Sequence, residues 1–160
     1  MDSMATSTDL LRRRSALGLL VAAVAAPMAT RAASGKPRVE VWKSPSCGCC
    51  KDWVAHLESN GFEVQVHDTG NNAARVRLGM PTKLGSCHTG SVSGYVIEGH
   101  VPAREIHSLL KLKPNALGLA VPGMPVGSPG MDGPEYGSHK DRFDVLLVAR
   151  DGSAKLFQRY

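Results

Sequence analysis

The sequence lacks any long apolar run beyond residue 32, so nothing in that part of the chain predicts a membrane span. It also lacks a run of basic residues there. The formal charge is +5, but residues 1–32 hold four arginines and two aspartates, which leaves 15 basic and 12 acidic residues, or +3, in the remainder. Such a small, dispersed charge argues against nucleic-acid binding. With no internal repeat or low-complexity tract, the 160 residues fit one domain with an added leader.

The leader has the features of an export signal. Three arginines at 12–14 precede the apolar stretch from Ala16 to Met28, which is too short to span a bilayer comfortably. Small residues around Ala32 suit a signal peptidase. We predict a signal over residues 1–32, a mature domain over residues 33–160 and a periplasmic location. The Sec and twin-arginine routes both stay open, and an uncleaved anchor is the alternative.

Cysteine is scarce, and three of the four cysteines lie in the motif Cys47-Gly48-Cys49-Cys50. The alternating run Val39 to Trp42 predicts a strand before the motif, and the pattern from Lys51 to Asn60 predicts a helix after it. The thiols therefore lie at a helix N-terminus, where unpaired N–H groups and the helix dipole favour thiolate. Thiolate is a nucleophile and a soft-metal ligand, so the motif predicts metal binding, thiol redox chemistry or both.

The spacing of the three thiols can be interpreted in two ways. Cys47 and Cys50 form the C-x-x-C pair of thiol–disulfide oxidoreductases. Cys49 is a third thiol that such enzymes do not need, whereas a metal cluster can use it. Thiolates select Cu(I), zinc or iron–sulfur chemistry, and zinc sites usually show a more regular spacing. A c-type haem is excluded because Lys51 stands where histidine is required.

The pattern of elements predicts an α/β fold. A strand, a helix and a second strand form a β-α-β unit with parallel strands. We expect a thioredoxin-like sheet with flanking helices, followed by a lid loop rich in glycine, proline and methionine and a C-terminal β-hairpin. The further predicted elements are a helix at 71–78, a strand at 95–97, a helix from Pro102 to Pro114, the lid at 117–138, and the hairpin strands 143–149 and 154–157 around Asp151-Gly152.

The fourth cysteine, Cys87, lies in a predicted loop before the strand that starts at Tyr95. In a thioredoxin-like sheet, the loop entering the third strand packs against the C-x-x-C turn. The candidates for that position are Cys87-His88-Thr89 and, alternatively, Pro81-Thr82 upstream. On the first alignment, we expect Cys87 to face the three other thiols. Because export leads to an oxidising compartment, a plain disulfide between Cys87 and one of the three is the alternative.

Histidine and methionine supply further candidate ligands. His88 adjoins Cys87, and it is either at the metal site or a loop histidine bonded to backbone. Met124 and Met131 lie in the predicted lid; thioethers suit Cu(I), although methionine also fills apolar cores. His100 follows a glycine turn, where orienting the loop or the next helix is the favoured interpretation over metal binding.

Four motifs in order resemble the CopG-type family of exported bacterial copper-resistance proteins, over residues 38 to about 158. They are C-G-C-C at 47–50, L-G-S-C-H-T at 84–89, G-Y-V-I-E-G-H-V-P at 94–102, and G-L-A-V-P-G-M-P at 118–125 followed by G-S-P-G-M at 127–131. The resemblance implies a thioredoxin-like fold and a copper site, polynuclear in form, on the four cysteines.

The sequence thus predicts a periplasmic Cu(I)-binding protein of copper homeostasis and resistance, with copper ions and other periplasmic copper-handling proteins as partners. The predicted metal ligands are Cys47, Cys49, Cys50, Cys87, His88, Met124 and Met131. Redox activity through a cysteine-bridged copper cluster is compatible with this interpretation, so enzymatic function is left open. The competing hypothesis is a periplasmic thiol–disulfide oxidoreductase with Cys47 as nucleophile and Cys50 resolving. A third is a binding module stabilised by structural zinc or a disulfide.

Overall fold

The structure is a computed structural model that describes residues 35–160. The predicted export signal and its boundary at residue 32 lie outside the described residues. Within the described range, no helix is both long enough and apolar enough to cross a membrane.

Between residues 35 and 160 the chain forms seven strands, three α-helices and two short 3-10 turns. The first half contains β1 (Arg38–Lys43), α1 (Gly48–Ser59), β2 (Glu63–His67), α2 (Asn72–Arg77), β3 (His88–Val92) and β4 (Tyr95–Glu98). The second half contains α3 (Ala103–Leu112), β5 (Gly118–Ala120), β6 (Asp144–Val148) and β7 (Ala154–Arg159), and the 3-10 turns are Thr82–Leu84 and Pro134–Tyr136.

All seven described strands join in one sheet, in the order β2-β1-β3-β4-β5-β6-β7. β1 and β2 are parallel, as the predicted β-α-β unit requires, and β4 pairs with β5 in the same sense. The other neighbours are antiparallel. The prediction of a mixed α/β fold with flanking helices is confirmed, and the predicted C-terminal hairpin is present as β6 and β7.

Apolar side chains cover both faces of the sheet. The larger cluster packs α1 and α3 on one face, with Trp53, Leu57 and Ile106 fully buried. Successive strand residues point to opposite faces, and Ile97 belongs to this cluster whereas Val96 belongs to the other. The smaller cluster therefore lies on the second face. Its buried members are Met80, Leu84, Val96, Ala120 and Val148.

Two strands were not predicted. β3 begins at His88, the residue that directly follows Cys87. Four of its five residues are buried, and they include polar ones, so the strand lacks the apolar–polar alternation by which strands are predicted. β5 lies within the stretch 117–138 that was predicted to be irregular throughout. Gly118 lets β5 approach β4, because a Cβ at this position would collide with the Val96 carbonyl. The irregular segment is therefore shorter, and residues 121–138 are called the Gly/Pro-rich segment below.

Two helix boundaries also differ from the prediction. α1 begins at Gly48 rather than Lys51, so Cys49 and Cys50 belong to its first turn. α3 begins at Ala103, and Pro102 is the capping residue before it rather than its first residue.

Candidate metal centre

The four cysteine sulfurs lie together at one end of the sheet. The Sγ atoms of Cys47, Cys49, Cys50 and Cys87 are all within 4.8 Å of one another, and 3.6 Å separates those of Cys47 and Cys49. The structure thus brings Cys87 to the other three thiols, which is the arrangement that the predicted site requires. That these sulfurs bind metal stays a prediction.

The turn between β1 and α1 positions the first three sulfurs. The Cys47 N–H donates to the Ser44 carbonyl at 3.1 Å, which closes the turn, and Cys47 is the N-cap of α1. No side chain caps the helix, and its first turn has no acidic residue. The start of α1 therefore leaves unpaired N–H groups near these cysteines with no competing carboxylate in the first turn, and such a helix start favours anionic sulfur.

The structure shows the protein with Cys47 and Cys50 joined in a disulfide, while Cys49 and Cys87 are free thiols. The alternative expectation, a disulfide that includes Cys87, is wrong for this state. The disulfide instead joins the two cysteines of the C-x-x-C pair. Reduction by two electrons and two protons returns the four separate thiols.

Cys87 is the meeting point of the sulfurs and two imidazoles. Its Sγ lies 3.0 Å from His100 Nε2 and 3.3 Å from His88 Nδ1. Burial raises the pKa of the Cys87 thiol to about 12, and the nearby Cys49 sulfur adds to the shift. Without metal, Cys87 is therefore a protonated thiol that has two imidazole nitrogens close to it.

His100 is held with one particular nitrogen toward this sulfur. It is fully buried, and its Nδ1 donates to the Pro129 carbonyl at 2.8 Å. Burial lowers the pKa of His100, so the ring is neutral and Nε2 carries the free lone pair. A histidine whose second nitrogen donates to a carbonyl is the usual arrangement of a metal ligand. Sequence analysis favoured an orienting role for His100 over metal binding and did not place it beside Cys87.

The signal that could have found His100 is the β3–β4 hairpin. Thr89 pairs with Glu98, so His88 lies opposite Gly99, whose N–H donates to the His88 carbonyl at 3.1 Å, and His100 is the next residue. The two rings meet edge to face, with centroids 4.8 Å apart. Recognising β3 would therefore have placed both histidines beside Cys87.

His88 contributes a second buried imidazole. Its ring packs on Trp53 with centroids 4.1 Å apart, and its Nε2 is buried with no hydrogen-bond partner among the described residues. Burial, followed by the nearby His100, lowers the pKa of His88 well below its usual value. Cys87, His88 and His100 form a second group whose ligand atoms lie within 4.8 Å of one another.

The two methionines differ in their surroundings. Met131 is buried, and its Sδ accepts a hydrogen bond from the Tyr136 hydroxyl at 3.4 Å. Met124 is 52% exposed. Its neighbour Gly123 accepts a hydrogen bond from the Ser86 hydroxyl, beside the Cys87 loop. Metal ligation by either methionine stays a prediction.

The Gly/Pro-rich segment packs directly against the start of α1. Gly130 has φ +82°, and a Cβ there would lie 2.6 Å from the Cys49 carbonyl oxygen and 2.7 Å from the Trp53 nitrogen. Only glycine lets the segment come this close. The adjacent Pro129 carbonyl is the one that orients His100, so the segment completes the site.

One family model and two solved structures are similar to this chain. A family model described as "Protein of unknown function, DUF411" matches residues 84–131, which run from the loop before Cys87 into the Gly/Pro-rich segment. No curated protein matches significantly. Two solved structures, named "Copper resistance protein copG" in Form 1 and Form 2, each share 44% identity with this chain at a TM-score of 0.72. Each match covers 78% of this chain and 98% of the other. On this likeness of sequence and structure over nearly the whole of those proteins, the chain belongs to the CopG copper-resistance family.

Proposed function

We propose that this protein binds Cu(I) in copper homeostasis, through the four cysteine sulfurs and the two buried imidazoles beside Cys87. The observation that carries the proposal is the convergence of all four sulfurs within 4.8 Å, with His88 and His100 within the same distance of Cys87. Thiolate is the ligand that selects soft ions such as Cu(I), and imidazole also suits copper. The family relationship to proteins named for copper resistance supports the same metal.

The donor set fits copper better than a single closed zinc site. Six donor atoms lie in two groups that share Cys87, whereas structural zinc takes four. Thiolate sulfur can bridge two ions, so the two groups can hold more than one copper. The buried, unpartnered Nε2 of His88 is a polar atom that the described residues leave unsatisfied, and such atoms are uncommon in folded proteins.

The chain prepares its donors through electrostatics and hydrogen bonds. The start of α1 stabilises anionic sulfur, and the Pro129 carbonyl holds His100 with its lone pair toward Cys87. The Cys87 thiol, which is protonated without metal, would have to lose its proton to become a copper ligand, so loading would release protons. A reductant, such as an external dithiol that supplies two electrons and two protons, would have to open the Cys47–Cys50 disulfide before loading, because two of the four sulfurs are otherwise occupied.

Met131, a buried residue of the Gly/Pro-rich segment, is proposed as a further thioether ligand. Met124 is proposed as a donor at the surface, where an exposed thioether can meet incoming Cu(I).

We also propose that residues 1–32 direct export and that the mature protein exchanges copper with other periplasmic proteins. Periplasmic fractions should then contain a chain that begins near residue 33, as measured by N-terminal mass spectrometry.

The test is anaerobic Cu(I) titration of the full chain, with thiol counting and metal analysis on the same sample. Reduced protein should bind copper at more than one ion per chain, and the disulfide form should bind less. Cys87→Ser should abolish most of the binding. His100→Ala should weaken it, whereas His139→Ala should not, because His139 is an exposed histidine. Preference for zinc over copper, or equal binding by the Cys87→Ser variant, would overturn the proposal.

The Cys47–Cys50 disulfide favours a second candidate, a thiol–disulfide oxidoreductase. This pair lies at a helix N-terminus, which is the position that activates C-x-x-C thiols. Turnover of a disulfide substrate such as insulin by reduced, copper-free protein distinguishes the two candidates. If Cys49→Ser retains full turnover and copper has no effect on it, the oxidoreductase function is favoured over copper binding.

A further inference from the structure

A buried ion pair lies on the opposite face of the sheet from His88. Arg75 of α2 meets Glu98 of β4 at 2.9 Å, and the Glu98 side chain is fully buried while that of Arg75 is nearly so. Thr89 pairs with Glu98 across β3 and β4, so the two face the same side of the sheet. The copper donors do not include this pair, and its place in the structure needs a separate explanation.

The Glu98 carboxylate binds the chain on both sides of Cys87. One oxygen accepts the Ser86 N–H at 2.7 Å, and the other accepts the Thr89 hydroxyl at 2.7 Å. Ser86 immediately precedes Cys87, and Thr89 immediately follows His88. A single buried carboxylate therefore fixes both ends of the two-residue stretch that supplies the central sulfur and one imidazole.

Arg75 fixes the same stretch through a different atom. Its Nη2 donates to the Ser86 carbonyl, and Asn71 donates to that carbonyl as well, at 3.1 Å. The guanidinium also packs against Gly85, where a Cβ would lie 3.2 Å from its central carbon. Both the N–H and the carbonyl of Ser86 are thus held by buried or half-buried side chains.

Stability alone is a weak reason for such a pair. Removing two charges from water costs free energy that their attraction often does not recover, and apolar replacements are frequently as stable. What an apolar pair cannot do is supply directed donors and acceptors to the peptide groups beside Cys87. The hydrogen bonds to Ser86 and Thr89 are therefore what the ion pair provides and an apolar pair at the same positions would not.

We propose that Arg75 and Glu98 are positioning residues for the copper site, which hold Cys87 and His88 in the copper-binding arrangement before copper arrives. The inference rests on the proposed function, since it assigns these residues a role in that same site. Without the pair, the Ser86–Thr89 stretch has to be ordered as copper binds, and affinity falls. Loss of groups that orient metal ligands typically costs about 10–100-fold in metal affinity, and we expect a loss in that range.

The experiment compares Arg75→Met and Glu98→Gln with Val96→Ala, which truncates a buried side chain in the neighbouring apolar cluster. Cu(I) affinity is measured by chelator competition, the copper–sulfur coordination number by X-ray absorption, and stability by thermal unfolding. We expect the first two variants to bind Cu(I) about 10–100-fold more weakly, with fewer sulfur neighbours per copper. Val96→Ala should bind as the wild type does, although its melting temperature is lower.

A second readout does not use copper. In the reduced, copper-free protein, alkylation of Cys87 by iodoacetamide should be several-fold faster in Glu98→Gln than in Val96→Ala, because the loop is no longer held. If Arg75→Met does not fold, Asn71→Ala removes one bond to the Ser86 carbonyl and should show the same trend more weakly. If the Cu(I) affinity and the rate of Cys87 alkylation change across the variants only in proportion to their melting temperatures, the positioning role is overturned. Failure of the wild type to bind copper would overturn the proposed function, while alkylation would still decide the positioning role.

Discussion

Replacement of Gly130 by alanine should displace the Gly/Pro-rich segment from α1. The alanine methyl would lie 2.6 Å from one backbone atom of α1 and 2.7 Å from another, and neither can rotate away as a flexible side chain could. The segment therefore has to move. Movement separates the neighbouring Pro129 carbonyl from His100 Nδ1, which are 2.8 Å apart. One methyl group thus tests both the packing of the segment and its effect on the site.

The expected cost has two parts. Gly130 has φ +82°, and an L-residue in the left-handed region costs about 1–2 kcal/mol. Overpacking against backbone adds about 1–3 kcal/mol, so the free energy of unfolding should fall by about 2–5 kcal/mol. Gly123→Ala is the matched control, because Gly123 lies in the same segment with φ +73° and its Cβ would meet nothing within 4 Å. It should cost only the conformational part.

Urea unfolding of the reduced, copper-free variants measures this difference, and Cu(I) competition measures the effect on the site. Gly130→Ala should be less stable than Gly123→Ala by about 1–3 kcal/mol. It should also bind Cu(I) about tenfold more weakly, since the orientation of His100 is lost. Equal stability of the two variants would refute the packing argument. Unchanged copper affinity in a destabilised Gly130→Ala would refute the link from the segment to His100.

Three further predictions follow from the described contacts. In the disulfide form, Cys87 should be alkylated slowly at pH 8 and about tenfold faster for each pH unit above it, because its pKa of about 12 leaves it protonated; an alkylation midpoint below pH 10 would contradict the burial argument. Trp53→Phe removes the indole N–H that donates to the buried Val101 carbonyl at 2.9 Å, and urea unfolding should show a loss of about 1–3 kcal/mol. Asp144→Asn breaks an exposed ion pair with Arg159, and the urea midpoint should not change, because exposed pairs contribute little.

The elements with regular patterns could be predicted from the sequence. β1, α1 and β2 follow from apolar periodicity and from the turn residues between them, and the β6–β7 hairpin follows from Asp151-Gly152. The approach of Cys87 to the other sulfurs could also be expected, because the loop that enters the third strand of a thioredoxin-like sheet packs against the C-x-x-C turn, and the structure brings the four sulfurs together.

The rest of the site depends on contacts that no local pattern encodes. β3 carries Thr89 and Gly90 at buried positions, and Thr89 is tolerated there because Glu98 accepts its hydroxyl hydrogen. β5 is only three residues long, among prolines and glycines, and Gly118 is needed for its approach to β4. The inclusion of His100 depends on both the β3–β4 hairpin and the Pro129 carbonyl, 29 residues further along the chain. Such long-range pairings are visible only once the sheet is assembled.

The span of the site along the chain has a consequence for biosynthesis. The first sulfur is at position 47, whereas the carbonyl that orients His100 is at position 129. A ribosome delivers these residues several seconds apart at ordinary elongation rates of about 5–20 residues per second. The nascent polypeptide therefore carries its first thiols well before the groups that complete their surroundings have been synthesised, and the proposed copper site is complete only after translation has passed position 129.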